Sequence, residues 1–269
     1  MASDLALRLV PDELWELTAS LIPQFTPRRQ GGGTRPVEDR AVFTAIVYVL
    51  TSGYAWRHLP AEFGVSPATA HRRFTAWTRA GLWPRLHRAV LDELGAKGQI
   101  DWAAAIVDAA AVRAKKGGSL TGPNPVDRAK RGSKLHVLSD AAGLPLVVGV
   151  SAANTADIEA FKPLFMALPL IRSRRGPRRR RPDKARADKG YDSAELRAWL
   201  RRRGVTPRIA RRGIESSERL GRHRWKIERT IAWIFGYRRL TVRYERSANL
   251  FAAFLTLAAT LTCWKKLAT

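Results

Sequence analysis

Positive charge dominates this amino-acid sequence. Its 269 residues include 48 Lys and Arg but only 23 Asp and Glu, which leaves a net charge of +25 at pH 7. Because so much like charge repels itself in a compact state, a polyanionic partner such as nucleic acid is expected. A hydrophobic fraction of 45% still provides enough apolar side chains for a core, and a single Cys excludes a disulfide framework and a cysteine-rich zinc site.

The distribution of apolar residues argues against a secreted or membrane protein. The first ten residues carry Asp4 and Arg8 and have no long apolar run, so a secretion signal is not expected. The longest apolar stretch, residues 250–264, has about 15 residues, whereas a membrane-spanning helix needs roughly 18–20. We therefore expect this stretch to form a buried helix in a cytoplasmic protein that makes no membrane contact.

The first 90 residues have the pattern of a helical domain. Residues 37–52 predict one helix with an apolar face, and Gly53 begins the turn after it. Ser66-Pro67 opens the next helix, because Ser is a favoured N-cap and Pro is favoured at the first helical position. Two helices around a tight glycine-containing turn predict a helix-turn-helix, whose second helix enters the major groove of DNA.

The second of these helices carries residues that are expected to face DNA. Phe74 and Trp77 are expected to anchor the helix, whereas Thr69, Arg72 and Arg73 are expected to point into a major groove. A helical bundle whose arginines are merely solvated is the alternative that the pattern leaves open.

Strands and helices alternate after residue 100, which predicts an α/β domain over residues 100–269. The predicted strands cover residues 104–107, 134–138, 144–150, 184–188 and 205–209. The predicted helices cover residues 158–168, 193–203, 222–237 and 249–266. Because a short turn separates the second strand from the third, the first three strands are expected to be neighbours, the last two as a hairpin, in a mixed sheet.

Three acids stand out in a chain that has few. Asp108 ends the apolar run 103–107, Asp188 ends a predicted strand before a glycine turn, and Glu228 lies in a predicted helix. Ligands bind α/β sheets at the carboxyl ends of strands, and three oxygen ligands suit Mg²⁺ or Mn²⁺. Two such ions about 3.5–4 Å apart can activate a water or a 3′-hydroxyl. Spacing alone favours a structural role for each Asp, as a helix cap or as a partner of the abundant arginines.

The order of motifs along residues 11–266 resembles that of bacterial insertion-sequence transposases with an Asp-Asp-Glu site, in the group numbered five. The motifs that carry the resemblance cover residues 55–60, 71–74, 81–83, 106–108, 131–136, 154–157, 187–192 and 224–229. The resemblance implies a ribonuclease-H-like, retroviral-integrase-like mixed five-stranded sheet with flanking helices. The sheet would belong to a catalytic domain over residues 100–269. An all-helical DNA-binding domain with a helix-turn-helix would precede it, over residues 1–90.

The resemblance also implies the chemistry. Asp108, Asp188 and Glu228 would be the catalytic, metal-binding residues and would hold two Mg²⁺ or Mn²⁺ ions in each active site. The enzyme would bind double-stranded DNA at the terminal inverted repeats of its element, cut there, and transfer the freed 3′-ends into target DNA. Since two ends must be joined, a homodimer or a higher oligomer on DNA is expected, in the bacterial cytoplasm and associated with the nucleoid.

One signature departs from the family pattern. The related signature around the Glu reads Tyr, two residues, Arg, three residues, Glu, six residues, Lys. The corresponding positions here hold Gly221, Arg224, Glu228 and Phe235, so only the inner Arg-Glu pair matches. Arg238 or Arg239 is expected to supply the missing cation.

The residues that we expect to contact DNA carry cationic or hydrogen-bonding side chains, and phosphate contacts of this kind weaken as salt increases. They are Thr69, His71, Arg72, Arg73, Lys115, Lys116, Lys130, Lys134, Arg178, Arg179, Arg224, Arg238 and Arg239.

Several alternatives stay open at this stage. A non-catalytic helix-turn-helix regulator would share the charge and the N-terminal helices, and a stand-alone metal-dependent nuclease would share the acids but lack strand transfer. His136 either lines the site or is a buried structural histidine. Trp225 and Trp233 are either helix anchors or stacking platforms for an unpaired base.

Overall fold

The computed structural model describes residues 4–24, 37–211 and 217–268, without the side chains of residues 217–224. The helices in these ranges are α1 (Asp4–Leu9), α2 (Asp12–Ala19), α3 (Asp39–Ser52), α4 (Pro67–Arg79), α5 (Leu82–Ala96), α6 (Asp157–Met166), α7 (Ala194–Arg202), α8 (Ser217–Phe235) and α9 (Ala248–Leu267). The strands are β1 (Ala105–Ala114), β2 (Gly122–Pro123), β3 (Arg131–Ser139), β4 (Pro145–Ala152), β5 (Lys184–Ala187), β6 (Thr206–Ile209) and β7 (Val242–Arg243).

The strands form one mixed sheet. The main path runs β2-β3-β1-β5-β6, β4 pairs with β3, and β7 pairs with β1. The pairs β1–β3 and β3–β4 are antiparallel, whereas β1–β5 and β5–β6 are parallel. The predicted neighbours and hairpin are therefore confirmed. Within the described ranges the sheet has seven strands and not the expected five, because the two-residue strands β2 and β7 extend it.

The hairpin between β3 and β4 is closed by the side chain of Asp140. Its Oδ1 accepts hydrogen bonds from the backbone N–H groups of Ala142 and Leu144 at 2.9 and 2.7 Å, and its Oδ2 accepts from Asp101 at 2.9 Å. Gly143 adopts a φ of +95°, which only glycine reaches without strain. Burial raises the pKa of Asp140 to about 6 even though these hydrogen bonds favour the carboxylate.

The two faces of the sheet bury separate hydrophobic clusters. Ile106 and Val137 belong to a cluster with α8, α9 and the N-terminal helices. Ala105 and Val107 belong to a cluster with α6 and α7. Alternate residues of β1 therefore serve different cores, as the two-residue period of a strand requires.

Helix α9 connects the N-terminal helices to the sheet. It is 20 residues long and contains the apolar stretch 250–264, which confirms the prediction of a buried helix there. By length and composition alone it qualifies as a membrane span, but 61% of its most apolar window is buried inside the protein. Phe254 of α9 stacks on Phe74 of α4 with ring centroids 4.3 Å apart. The helical and α/β parts thus share a core, and their division into two domains stays a prediction.

The N-terminal helices do not form the tight helix-turn-helix that the sequence predicted. Residues 53–66, with two short 3₁₀ turns, separate α3 from α4, whereas the motif needs a turn of about 3–4 residues. The tight turn instead follows α4, where Gly81 with a φ of +70° leads directly into α5. Helix α5 was missed, although Pro84 lies in its first turn, where proline is tolerated.

Candidate active site

Asp108 lies within a strand and not at its end. β1 continues for six residues past it, to Ala114, because residues 109–113 keep their pairing with β3. The prediction of a strand end at Asp108 was therefore wrong. Residues 109–111 are small and are half-buried or exposed, so they carry no apolar pattern that would have extended the strand.

The register of β1 and β5 brings Asp108 and Asp188 to the same level of the sheet. Ala105 pairs with Ala185 and Ile106 with Arg186 in this parallel pair. Two residues further on, the same register sets Asp108 beside Asp188, whose backbone is still extended. Neighbouring strands are about 4.8 Å apart, and residues two apart share a face, so both carboxylates project from the face that holds Ile106.

Asp188 also shapes the turn that follows β5. Its Oδ1 accepts a hydrogen bond from the Gly190 backbone N–H at 2.8 Å and caps a 3₁₀ turn that ends at Tyr191. The Tyr191 hydroxyl is buried, and burial raises its pKa. The negative charges of Asp157, Asp108 and Asp188 raise that pKa further.

Glu228 lies on α8, which packs on the same face of the sheet as Asp108. Its neighbour Ile227 is buried in the cluster that contains Ile106. The Glu228 side chain is exposed, as expected for a group that must meet a substrate from solution. Three side chains of α8 donate hydrogen bonds to three successive carbonyls of the β3–β4 turn, which hold the helix in place.

The three acids do not converge fully. Among the residues that the structure describes, no three His, Cys, Asp or Glu side chains lie close enough together to hold a metal ion. The register sets Asp108 beside Asp188, and Glu228 lies on α8, which packs against the same face of the sheet, but the three carboxylates do not form a closed metal-binding cluster.

An aromatic stack lies beside Glu228 on α8. Trp225 and Trp233 are 48% and 42% exposed, and the Arg229 guanidinium lies 4.7 and 4.6 Å from their ring centroids. Residues four apart share one side of a helix, so the three side chains form a continuous stack. Both tryptophans are therefore exposed on the helix and do not anchor it.

His136 and Lys134 occupy the opposite face of the sheet. Lys134 Nζ lies 2.8 Å from the Asp157 carboxylate, and His136 Nε2 lies 2.7 Å from Ser151 Oγ. Burial lowers the pKa of His136 to about 4, so the ring is neutral at pH 7. These positions favour the structural alternative for His136. Asp157 was missed as a charge near the site, although it ends the motif at residues 154–157.

The residues predicted to contact DNA differ in how far their side chains are exposed to solvent. Those with exposed side chains are His71, Arg72, Lys115, Lys116, Lys130, Arg178 and Arg238. Thr69 is half-buried and accepts a hydrogen bond from Arg72, and the side chain of Arg224 lies outside the described residues.

Six of the basic residues pair with acids in the described part of the protein, among them Lys130 with Asp127 and Lys134 with Asp157. Arg73 pairs with Asp39 of α3 and stacks on Trp77. Arg178 binds both carboxylate oxygens of Asp92 at 2.8 and 2.9 Å, and Arg179 pairs with Asp183.

Arg239 is 6% exposed and pairs with Glu245 at 2.7 Å. The expected groove-facing Arg73 and the expected cation at Arg239 are therefore corrected. Asp39 and Glu245, to which the sequence had assigned no role, hold these two guanidinium groups within the fold.

Comparison with known families decides the class of protein. A model described as a transposase DDE domain matches residues 103–263, more than half of the chain, and one described as a putative transposase of the IS4/5 family matches residues 10–87. The chain belongs to the DDE transposase family. It is an insertion-sequence transposase, an enzyme class that cleaves DNA and transfers strands, and DDE transposase domains generally depend on a divalent metal ion.

Relatives of this transposase occur in Burkholderia cepacia. The putative transposase for insertion sequence element IS402 is 48% identical over 147 residues, which are 55% of the chain and 70% of the relative. An uncharacterized 16.2 kDa protein of the same element is 43% identical over 123 residues, 45% of the chain and 84% of the relative. The Mos1 transposase paired-end complex with left transposon end shares 12% identity over 94% of the chain and 85% of its own, with a TM-score of 0.27, too low to establish a common fold.

Proposed function

We propose that this transposase binds the terminal inverted repeats of its own insertion sequence and cleaves and transfers the DNA strands there, with Asp108, Asp188 and Glu228 as its catalytic acids. The register that sets Asp108 beside Asp188 carries this proposal. Two carboxylates on one face of adjacent strands repel each other in the absence of a cation, so their placement favours a metal site.

The strand order supports a ribonuclease-H-like core. Three antiparallel strands, β4-β3-β1, continue into two parallel ones, β5-β6, with helices on both faces. Within the helical part, α4 exposes His71 and Arg72 on its surface, which supports a role for this helix in gripping DNA. This role depends on the exposed side chains of α4 and does not require a tight turn between α3 and α4.

The carboxylates fit a hard divalent cation in their chemistry. Asp108, Asp188 and Glu228 offer only oxygen donors, which Mg²⁺ and Mn²⁺ prefer, and we propose two such ions in each site. The ions would supply Lewis-acid stabilisation of the oxygens that enter and leave the phosphorus. Asp108 and Asp188 are held by the sheet, and Glu228, on α8 against the same face, would complete the set.

The rest of the chain orients the DNA. Exposed Lys115, Lys116 and Lys130 near the end of β1 and the start of β3, and Arg238 after α8, hold the backbone by charge, in keeping with the net charge of +25. We propose double-stranded terminal and target DNA as substrates and a homodimer or higher oligomer as the assembly that holds two ends. A soluble cytoplasmic enzyme associated with the nucleoid fits these substrates.

Three single variants test the catalytic set. Asp108→Asn, Asp188→Asn and Glu228→Gln keep side-chain size but remove the charge, so each is expected to bind end DNA and to lose cleavage with Mg²⁺ or Mn²⁺. Asp183→Asn is the matched control, because Asp183 is an exposed acid at the other end of β5 and should leave cleavage intact. Cleavage by any one of the three variants at the wild-type rate removes that residue from the site.

Two other functions make different predictions. A non-catalytic regulator binds end DNA and never cuts it, so the wild-type cleavage assay distinguishes it. A stand-alone nuclease cuts but does not join, so DNA with pre-cut 3′-ends separates it from a transposase. Joined products that depend on Asp108 support the transposase function over both.

A further inference from the structure

A basic cavity lies at the end of the β1–β3 pair, away from the three acids. It has a volume of about 370 Å³ and is lined by Arg113, Ala114, Lys115, Gly117, Lys130 and Arg131. Four of these six residues are cationic and none is acidic. Arg113 and Arg131 were not expected to contact DNA, and the cavity brings them together with two lysines that were.

The walls of this cavity are held in place by a buried arginine. Arg243 donates to Ser133 Oγ at 2.6 Å and to the carbonyls of Ser119 and Leu120 at 2.6 and 3.1 Å. Its own carbonyl accepts a hydrogen bond from the Lys115 backbone N–H at 3.0 Å. The loop after β1 is thus tied to β3 and to β7, so the cavity is a built feature and not an accident of exposed side chains.

The charges that line the cavity lack a matching anion. Of its four cations, Lys130 lies 3.9 Å from Asp127, and the described residues offer no ion pair to Arg113, Lys115 or Arg131. Like charges gathered around one space cost free energy unless an anion occupies it. Two guanidinium groups can hold phosphate oxygens bidentately, and the lysines add point charges.

The cavity lies at the far end of β1 from Asp108. Arg113 follows Asp108 by five residues, which is about 17 Å at the rise of a β-strand, and this odd number of residues places the two side chains on opposite faces of β1. A phosphate held in the cavity would therefore be a second point of the DNA backbone, separate from the scissile bond.

We propose that this cavity is a subsite for one backbone phosphate of the DNA, apart from the phosphate that is cleaved. The inference rests on the proposed function, since this phosphate belongs to the DNA that the enzyme cleaves. Arg113 and Arg131 are the bidentate ligands of the subsite.

The test combines a double variant with neutral phosphates. Duplexes that carry the terminal sequence of the element are made with a single methylphosphonate at each position around the cleavage site. Their affinities are measured for the wild-type protein and for Arg113→Gln/Arg131→Gln. The control variant is Arg201→Gln/Arg202→Gln, which removes the same charge from the exposed last turn of α7. Thermal unfolding verifies that each variant is folded, and Arg113→Lys/Arg131→Lys keeps the charge without the bidentate geometry.

The expected result is a position-specific loss. The Arg113→Gln/Arg131→Gln protein binds unmodified DNA about tenfold more weakly than the control variant does. Its salt dependence decreases by about 0.9 in slope, as expected for one phosphate. One methylphosphonate position weakens wild-type binding but has no further effect on this variant, and the lysine variant binds with intermediate affinity. Equal methylphosphonate effects in both proteins, or binding equal to that of the control, overturn the subsite.

The cleavage assay separates this inference from the proposed function. If wild-type protein cuts the duplex and no position is coupled to Arg113 and Arg131, the subsite is wrong and the catalytic function stands. If one position is coupled but wild-type protein does not cut with Mg²⁺ or Mn²⁺, the cavity is a DNA subsite and the catalytic function is wrong.

Discussion

Thr230 donates its hydroxyl to the carbonyl of Gly143 at 2.6 Å, and this bond connects helix α8 to the tip of the β3–β4 hairpin. Two neighbours on α8 repeat the pattern. Lys226 Nζ donates to the Ala141 carbonyl at 2.8 Å, and Arg229 donates to the Ala142 carbonyl at 2.7 Å. Three successive carbonyls of one turn therefore hold the helix that carries Glu228.

We expect Thr230→Val to weaken this attachment. The Thr230 side chain is fully buried, so valine leaves the Gly143 carbonyl without its donor and costs about 1–2 kcal/mol of unfolding free energy. Cleavage should decrease as well, because Glu228 loses its fixed position relative to the sheet. Urea unfolding and a cleavage assay measure the two effects.

Thr230→Ser is the matched control for this prediction. It keeps the hydroxyl, so it should retain most of the cleavage rate even if the lost methyl group lowers stability. If Thr230→Val cuts DNA as fast as Thr230→Ser, the hydrogen bond does not position Glu228.

Local sequence patterns predicted the regular elements after residue 100, because alternation and apolar runs report which faces are buried. They could not place Asp108 within β1. The pairing of residues 109–113 depends on β3, whose first residue is 131, and small alanines carry no local sign of it. The helical part was harder, since a proline near the start of α5 hid a helix whose apolar face packs on the C-terminal α9.

In the candidate site, too, the sequence predicted the residues but not their arrangement. Asp108, Asp188 and Glu228 were identified by type and by resemblance, but their relation depends on a strand register and on a helix held by a turn some 87 residues earlier in the chain. The corrections at Arg73 and Arg239 have one cause. The chain has 48 Lys and Arg residues and 23 Asp and Glu residues, and the sequence alone does not show which arginines form ion pairs with these acids in the folded protein.

Arg238 and Arg239 are adjacent but should respond differently to substitution. Arg239 is buried, pairs with Glu245 and donates to the Tyr54 carbonyl at 2.9 Å. Arg239→Met leaves the Glu245 charge buried without a partner and should cost about 3 kcal/mol of unfolding free energy. Arg238→Gln changes an exposed side chain and should weaken DNA binding with little effect on stability.

Denaturant unfolding and a DNA-binding titration of both proteins check this difference. The double variant Arg239→Met/Glu245→Met should recover most of the lost stability, because it removes the stranded charge. An Arg239→Met protein as stable as wild type would show that the buried pair contributes nothing to the fold.

The same contrast is expected for Arg72 and Arg73 on α4. Arg72 is exposed, so Arg72→Gln should lower DNA affinity and decrease the salt slope by about one if it contacts a phosphate. Arg73 is held by Asp39 and lies 5.2 Å from the Trp77 ring centroid, so Arg73→Gln should lower stability by about 1 kcal/mol. Binding isotherms at several salt concentrations and thermal unfolding measure the two. A larger loss of DNA affinity for Arg73→Gln than for Arg72→Gln would reverse the assignment of the two side chains.

Stability should decrease as the pH falls from 7.5 to 5.5, because two histidines are buried in neutral form. Burial lowers the pKa of His87 and of His136 to about 4 from an ordinary 6.5. In the unfolded chain each ring binds a proton below pH 6.5, whereas the folded chain resists protonation until about pH 4. The unfolded state therefore binds more protons in this window, and each histidine removes about 1 kcal/mol of stability by pH 5.5.

Asp140 acts in the opposite direction in the same window. Its pKa of about 6 in the folded state means that it takes up a proton as the pH falls, while the unfolded carboxyl does so only near 3.8. The stability that Asp140 gains by this uptake is smaller than the stability that one histidine loses. The total free energy of unfolding therefore still decreases as the pH falls. Urea unfolding at several pH values should give a decrease of about 1–2 kcal/mol for the wild type. His87→Gln should make the dependence shallower, since glutamine can still donate to the Pro145 carbonyl that His87 Nε2 contacts at 3.0 Å but cannot titrate. A dependence that is equally steep in His87→Gln would mean that His87 is protonated in the folded protein.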